Sequence, residues 1–171
     1  MKKASRLNIG CGPDVKKNYV NLDILHMKGV DVVHDLNKYP YPFKDEEFEE
    51  ILCSSVLEHL DDIGKAMKEI HRILKKNGKV KIIVPHFTSS NAYTDPTHKH
   101  WLGYFSFDFY CGDSFYYDFK FKVVKRKLIF GKKYAIWNWI VEPLANAFPK
   151  IYENTPVRIF PAMDIEIVLE K

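Results

Sequence analysis

The chain reads as an α/β protein on a mainly parallel, twisted sheet whose last strand runs antiparallel, and two observations predict this. The first is an apolar strand that runs straight into a glycine turn, "LNIGCG" at residues 7–12. The second is the order strand, helix, strand through "EEILCSSV", a helical apolar stripe and "GKVKIIVP". That order is a βαβ unit and calls for a parallel pair of strands.

Taken in order, Leu7 and Ile9 belong to the first strand, and "YVNLDI" (19–24) and "VDVVHDL" (30–36) follow as the second and third. Their β-branched and apolar content favours strands. A proline-broken loop, "NKYPYPFKDEEF", leads into the fourth, "EEILCSSV". From Leu57 the period changes: Leu57, Leu60, Ile63, Met67, Ile70 and Leu74 recur at helical spacing, with Lys75 and Lys76 in the last turn and Gly78 as a stop. The fifth strand then ends at Pro85. Beyond it the chain turns irregular and aromatic, resumes strand-like alternation at "KFKVVKRKLIF", and closes on the alternating "AMDIEIVLEK".

With 171 residues and 46% hydrophobic side chains the chain is long and apolar enough to fold. Residues 1–171 read as one domain with an aromatic insertion or lid at about 86–118 and 131–160, the second part carrying Trp137 and Trp139. Cys11, Cys53 and Cys111 are too few and too scattered for a disulfide framework or zinc knuckle, so a reduced, cytoplasmic setting is expected. The start has no apolar stretch of a secretion signal, and "YAIWNWIVEPLANAF" is interrupted by Glu142 and Pro143 and too short to span a bilayer. The net charge of +4 comes from dispersed lysines, which fits a solvated surface better than a nucleic-acid track.

Chemistry enters at the glycine turn. Gly10 and Gly12 flank Cys11 just after a strand, where absent side chains let a ligand approach the backbone. There is no third glycine, no acid about 20 residues on as a nicotinamide site has, and no GK[ST] phosphate loop. Asp23 and Asp35 instead end the next two strands, so that two carboxylates and the turn line one crevice at the sheet edge. A carboxylate there can accept both hydroxyls of a ribose, although either aspartate also suits a turn cap.

"LNIGCGPD", "VNLDI", "HDLNKYPYPFKDEEFEEILCSSVLEHLDD" and "EIHRILKKNGKVKIIVPHF" together resemble the class I S-adenosylmethionine-dependent methyltransferases, specifically the small type 11 group, in the family's order over about the first half of the chain. The resemblance implies a Rossmann-like fold with S-adenosylmethionine as cofactor. It also implies a first helix shortened to a loop, since that cofactor has no pyrophosphate needing a helix N-terminus. By the same resemblance Gly10, Cys11 and Gly12 would meet the amino-acid end of the cofactor, Asp23 the ribose, and Asp35 with Leu36 the adenine; Ser54 and Ser55 would lie near the methyl group. Asn8 joins this set, standing where the family often has an acid.

The second half matches no motif but contains "PHFTSSNAYTDPTHKHW", which puts His86, Asp95, His98 and His100 over the expected reactive end. Methyl transfer is an in-line displacement that needs positioning, plus a base when the acceptor is a hydroxyl or protonated amine. His86, His98 and His100 are therefore candidate catalytic residues. Glu58 and His59 in "LEHL" would face the same mouth. With His86 and His98 they make a candidate divalent-metal site, resembling the glutamate and histidine sites of some metal-assisted methyltransferases, with Ser55 where a further glutamate would stand. Tyr93, Trp101 and Tyr104 are candidates for the acceptor-pocket wall, where aromatic faces attract a sulfonium. The expected activity is methyl transfer to an oxygen or nitrogen of a small molecule. The rivals are a nucleic-acid (RNA) methyltransferase, favoured by a basic face with stacking aromatics, and a cofactor-binding module without catalysis, favoured if the aromatic insertion fills the pocket.

Overall fold

The computed structural model describes residues 5–112, 115–131 and 135–171. Seven strands form one sheet: β1 (Arg6–Ile9), β2 (Val20–Asp23), β3 (Val32–Val33), β4 (Phe48–Ser54), β5 (Leu74–Pro85), β6 (Lys122–Ile129) and β7 (Asp164–Glu170). Their spatial order is β3-β2-β1-β4-β5-β7-β6. The first five pair in parallel, and β7 lies antiparallel to both β5 and β6. The expected mainly parallel sheet with an antiparallel last strand is what forms.

Alternation fixes the register of this sheet. In β7 the side chains of Ile165, Ile167 and Leu169 are fully buried while their neighbours are half-covered, and Val80, Ile82 and Val84 of β5 face them across the ladder. A one-residue slip would turn either set to the wrong face.

The helical stripe forms later than its spacing suggests. Leu57–His59 is a single 3-10 turn, Leu60 is extended, and the helix α1 spans Ile63–Ile73. Asp62 decides the start, because its side chain accepts the backbone N–H of Lys65 and caps the first turn. The end also moves: Leu74 is already extended and pairs with Phe48, so Lys75 and Lys76 belong to β5 and Gly78 sits inside the strand. The cations of the last turn are His71 and Arg72 instead. Ile63, Ala66, Met67, Ile70 and Ile73 turn the buried face of α1 toward the sheet.

No helix links β1 to β2, as the shortened-helix expectation requires, and two asparagines replace it. Asn8 donates its amide to the carbonyl of Asp14 and to Oδ1 of Asn21, and Asn21 accepts from Lys16 N and donates to Lys16 O. These side chains satisfy loop groups that a helix would have satisfied internally.

The third strand is shorter than expected because Asp35 turns the chain, its carboxylate accepting the N–H of Asn37. The following loop is tied down by Arg72, which donates to the carbonyls of Tyr41 and Phe43 and pairs with Glu69 and Asp45.

The aromatic segment after Pro85 holds a short helix, α2 (Asn91–Thr94), and a 3-10 stretch at Ser106–Tyr110. Residues 131–160 contribute α3 (Asn138–Ala147) and α4 (Pro149–Asn154), then a 3-10 turn at Pro156–Ile159. Asp113, Ser114 and 132–134 within these insertions lie outside the described residues. No helix among the described residues is long and apolar enough to cross a membrane.

Candidate active site

Two clefts open at the carboxyl ends of the parallel strands. The larger, about 710 Å³, is lined by Gly10, Asp23, Ile24, Asp35, Leu36, Asn37, Ser55, Val56, His59, Leu60, Pro96, Thr97 and Lys99. The second, about 590 Å³, is lined by Ser55, Glu58, His59, Pro85, Asn91, Thr94, Asp95, Pro96, His98 and Asp164. Ser55, His59 and Pro96 line both, so the clefts share a wall.

The glycine turn is built for close approach on one side and close packing on the other. Gly10 adopts φ +61°, and a Cβ there would clash with Val56 Cγ2. Gly12, at φ +47°, faces open space, and its N–H donates to Oδ2 of Asp23 at 2.8 Å. Asp23 also accepts Leu25 N through Oδ1, so both oxygens are held in place with lone pairs to spare at the cleft wall. Asp35 and Leu36 line the same cleft, and the Tyr41 hydroxyl donates to the carbonyl of Leu36 from beneath.

Other expected cofactor residues stand back from it. Asn8 is buried behind the loop and spends its amide on the network above. The Cys11 thiol is buried, which pushes its pKa up, and its backbone N–H pairs with Leu22. Ser54 stays in the β4 ladder opposite Ile83, while Ser55 takes φ +53° and reaches both clefts.

The histidines separate into two groups. His86 is fully buried and both ring nitrogens are engaged: Nδ1 accepts Thr88 N, and Nε2 donates to Glu153 Oε1 at 3.0 Å. No lone pair is left for a metal or a substrate proton, and His86 lines neither cleft. This removes it from both the catalytic and the metal set. His100 donates Nε2 to the carbonyl of Leu60 and lines neither cleft either.

Glu58, His59 and His98 do come together, each offering one ligand atom, with the three atoms within 4.8 Å of one another. Their surroundings set the protonation. The Thr97 hydroxyl donates to Asp95 at 2.6 Å, so toward His59 it can only accept, and His59 must present Nδ1–H to it at 2.9 Å. His98 Nδ1 faces the carbonyl of Ala92 at 3.1 Å and must also donate. Both neutral rings therefore keep their lone pair on Nε2. Glu58 is 1% exposed, yet neither carboxylate oxygen has a hydrogen-bond partner. Burial raises its pKa to about 7, partly offset by its own backbone N–H and by His98. The His59 pKa is lowered, by burial first and by His98 second. Asp164, on the same cleft, is raised by burial.

The proposed pocket aromatics lie elsewhere. Tyr93 and Trp101 stack on each other with centroids 6.0 Å apart, both exposed, and line neither cleft. Tyr104 lies under the Arg126 guanidinium, 5.0 Å from it. Among the residues the sequence reading missed, Asn37, Val56, Thr97 and Lys99 line the larger cleft, and Asp164 lines the second. The first four come from loops whose approach to the sheet leaves no periodic signal, and Asp164 opens β7 from the far end of the chain.

A parallel sheet reversing its strand order at β1 and β4, with a glycine turn and strand-end carboxylates around a crevice at that point, defines a Rossmann-like fold with its crevice where such sheets bind ligands. Residues 11–82 match the family described as a methyltransferase domain. An uncharacterized protein of Methanocaldococcus jannaschii is 51% identical over 43 residues, 25% of this chain and 19% of that protein. A second from the same organism is 35% identical over 79 residues, 46% of this chain and 37% of that protein, so the aligned stretches take in well under half of either relative. A crystal structure of a SAM-dependent methyltransferase from Archaeoglobus fulgidus has the same fold, with a TM-score of 0.66 at 21% identity over 97% of this chain and 85% of the other. Over residues 11–82 the chain is similar to that methyltransferase-domain family, and over nearly its whole length it shares the fold of the Archaeoglobus fulgidus structure.

Proposed function

We propose that the protein binds S-adenosylmethionine in the larger cleft and transfers its methyl group to an oxygen or nitrogen of a small molecule in the second. The observation that carries this reading is the unpartnered, buried Glu58 carboxylate beside the wall shared by the two clefts. Asp23 suits the ribose hydroxyls and Asp35 with Leu36 the adenine, all three lining one cleft. Transfer forms a bond from the acceptor's lone pair to the methyl carbon as the carbon–sulfur bond breaks. Its electron pair returns to sulfur, neutralising the sulfonium, and the acceptor's proton must leave. Glu58, with a pKa of about 7, and the free Nε2 of His59 stand ready to take that proton.

One carboxylate and two imidazoles, each with one ring nitrogen left as an acceptor, also suit a divalent ion of the zinc, cobalt or manganese kind. His59 is backed by Thr97 and Asp95, and His98 by the Ala92 carbonyl, as metal-bound histidines usually are. When bound, such an ion would acidify an acceptor hydroxyl.

The second cleft is open and lined by polar side chains, and the aromatic insertion does not fill it, which favours catalysis over a passive binding module. The test is incubation with methyl-labelled S-adenosylmethionine and, separately, a panel of small hydroxyl and amine compounds and total RNA. Label in a small-molecule product supports the reading; label in RNA alone moves the acceptor class to nucleic acid.

A further inference from the structure

Ten of the 21 large apolar side chains exposed among the described residues fall between Ile136 and Phe160. They include Trp139, Ile140, Leu144, Phe148, Ile151 and Ile159. Leu144, Phe148, Ile151, Val157 and Phe160 line an apolar groove of about 350 Å³, Trp139 and Ile140 lie outside it on exposed positions of α3, and Trp137 meets Phe160 at 6.4 Å between ring centroids. A concentration of this kind is rarely left open to water without a partner.

Charge chooses the partner. Between residues 135 and 163 there are two acids and two bases, and they point in opposite directions. Glu142 is buried, accepting Phe130 N and pairing with Lys127, and Glu153 faces inward to His86 and Tyr104 N. Lys150 and Arg158 are the exposed charges of the segment. An apolar, tryptophan-bearing segment whose exposed charges are both cations is the pattern of a helix pair lying in a membrane interface. A second copy of the chain would be a poorer match: a two-fold interface sets the same patch against itself, and this one has no outward carboxylate to meet its own cations.

We propose that the α3–α4 face docks on a bilayer carrying anionic headgroups, with Trp139 and Ile140 entering the acyl boundary and Lys150 and Arg158 meeting the headgroups. The proposal is independent of methyl transfer. It is tested by flotation of the full chain with vesicles of phosphatidylcholine, alone or with roughly one third phosphatidylglycerol, at low and high salt. Size measurements without vesicles run in parallel. Wild type should float only with the anionic vesicles, be released by salt, and show a blue shift of tryptophan emission. Lys150→Gln with Arg158→Gln should weaken binding about 30-fold, from about 1 kcal/mol per cation near the surface. Trp139→Ser with Ile140→Ser should weaken it too, and circular dichroism should show each variant folded, since all four side chains are exposed. Equal binding to both vesicle types, binding that neither double variant weakens, or no flotation at all would each overturn the proposal, and a dimer that Trp139→Ser and Ile140→Ser dissolve would assign the face to a second copy instead.

Discussion

Replacing Glu58 by glutamine should make the metal-free protein more stable at pH 8 and leave it little changed at pH 4. Glu58 is buried without a hydrogen-bond partner, and its carboxyl pKa rises from 4.5 to about 7. The folded state therefore holds this proton more tightly than the unfolded chain does. Below the unfolded value both states are protonated and the group costs nothing. Between the two values only the unfolded chain ionises, so stability falls by about 1.36 kcal/mol per pH unit, and about 3 kcal/mol is gone once the pH has passed the folded value. For a chain of this size that is roughly 6–12 °C in melting temperature. Urea unfolding of wild type and Glu58→Gln in chelator at pH 4, 6 and 8 reads the difference directly. The gap should open with pH in favour of the variant, and a divalent metal at pH 8 should raise wild type alone. A gap of the same size at every pH would refute the argument that the carboxylate is desolvated and unpaired.

Three further outcomes follow from the same geometry. Gly10→Ala combines a clash with Val56 and a positive φ, and should lose about 2 kcal/mol or more in urea unfolding, part of it restored by Val56→Ala. Arg72→Ala frees the loop holding Tyr41 and Phe43 and leaves Glu69 with the Tyr41 N–H but no cation; about 3 kcal/mol should be lost, with faster proteolysis in that loop. His98→Ala should abolish cobalt absorption bands and impair transfer at unchanged stability, whereas His86→Ala, which strands Glu153 against the β5 end, should destabilise the fold and leave cobalt binding intact.

The strands were legible because alternation and β-branching mark them wherever a face is buried, as in β5 and β7. α1 was legible in existence but not in its ends, since one cap at Asp62 outweighed two apolar positions at Leu57 and Leu60 that fit the helical period. At the candidate site, Asp23, Asp35 and Ser55 were readable from their place just after strands. His86 was misread on the same logic: it follows β5 as expected, but Glu153 arrives from α4, far along the chain, and claims it. The asparagine pair that substitutes for the first helix was equally hidden. Asn8 looked like a departure from a ligand position, and only its bonds to Asp14 and Asn21 show that it builds the loop.

The central claim is that the crevice beside Asp23 is an S-adenosylmethionine site. Calorimetric titration with S-adenosylmethionine and S-adenosylhomocysteine tests it, on wild type and Asp23→Ala, in chelator and again with a divalent metal. The account predicts saturable one-to-one binding of both ligands that Asp23→Ala weakens at least tenfold, about 1.4 kcal/mol. Folded wild type that binds neither ligand under either condition would contradict it.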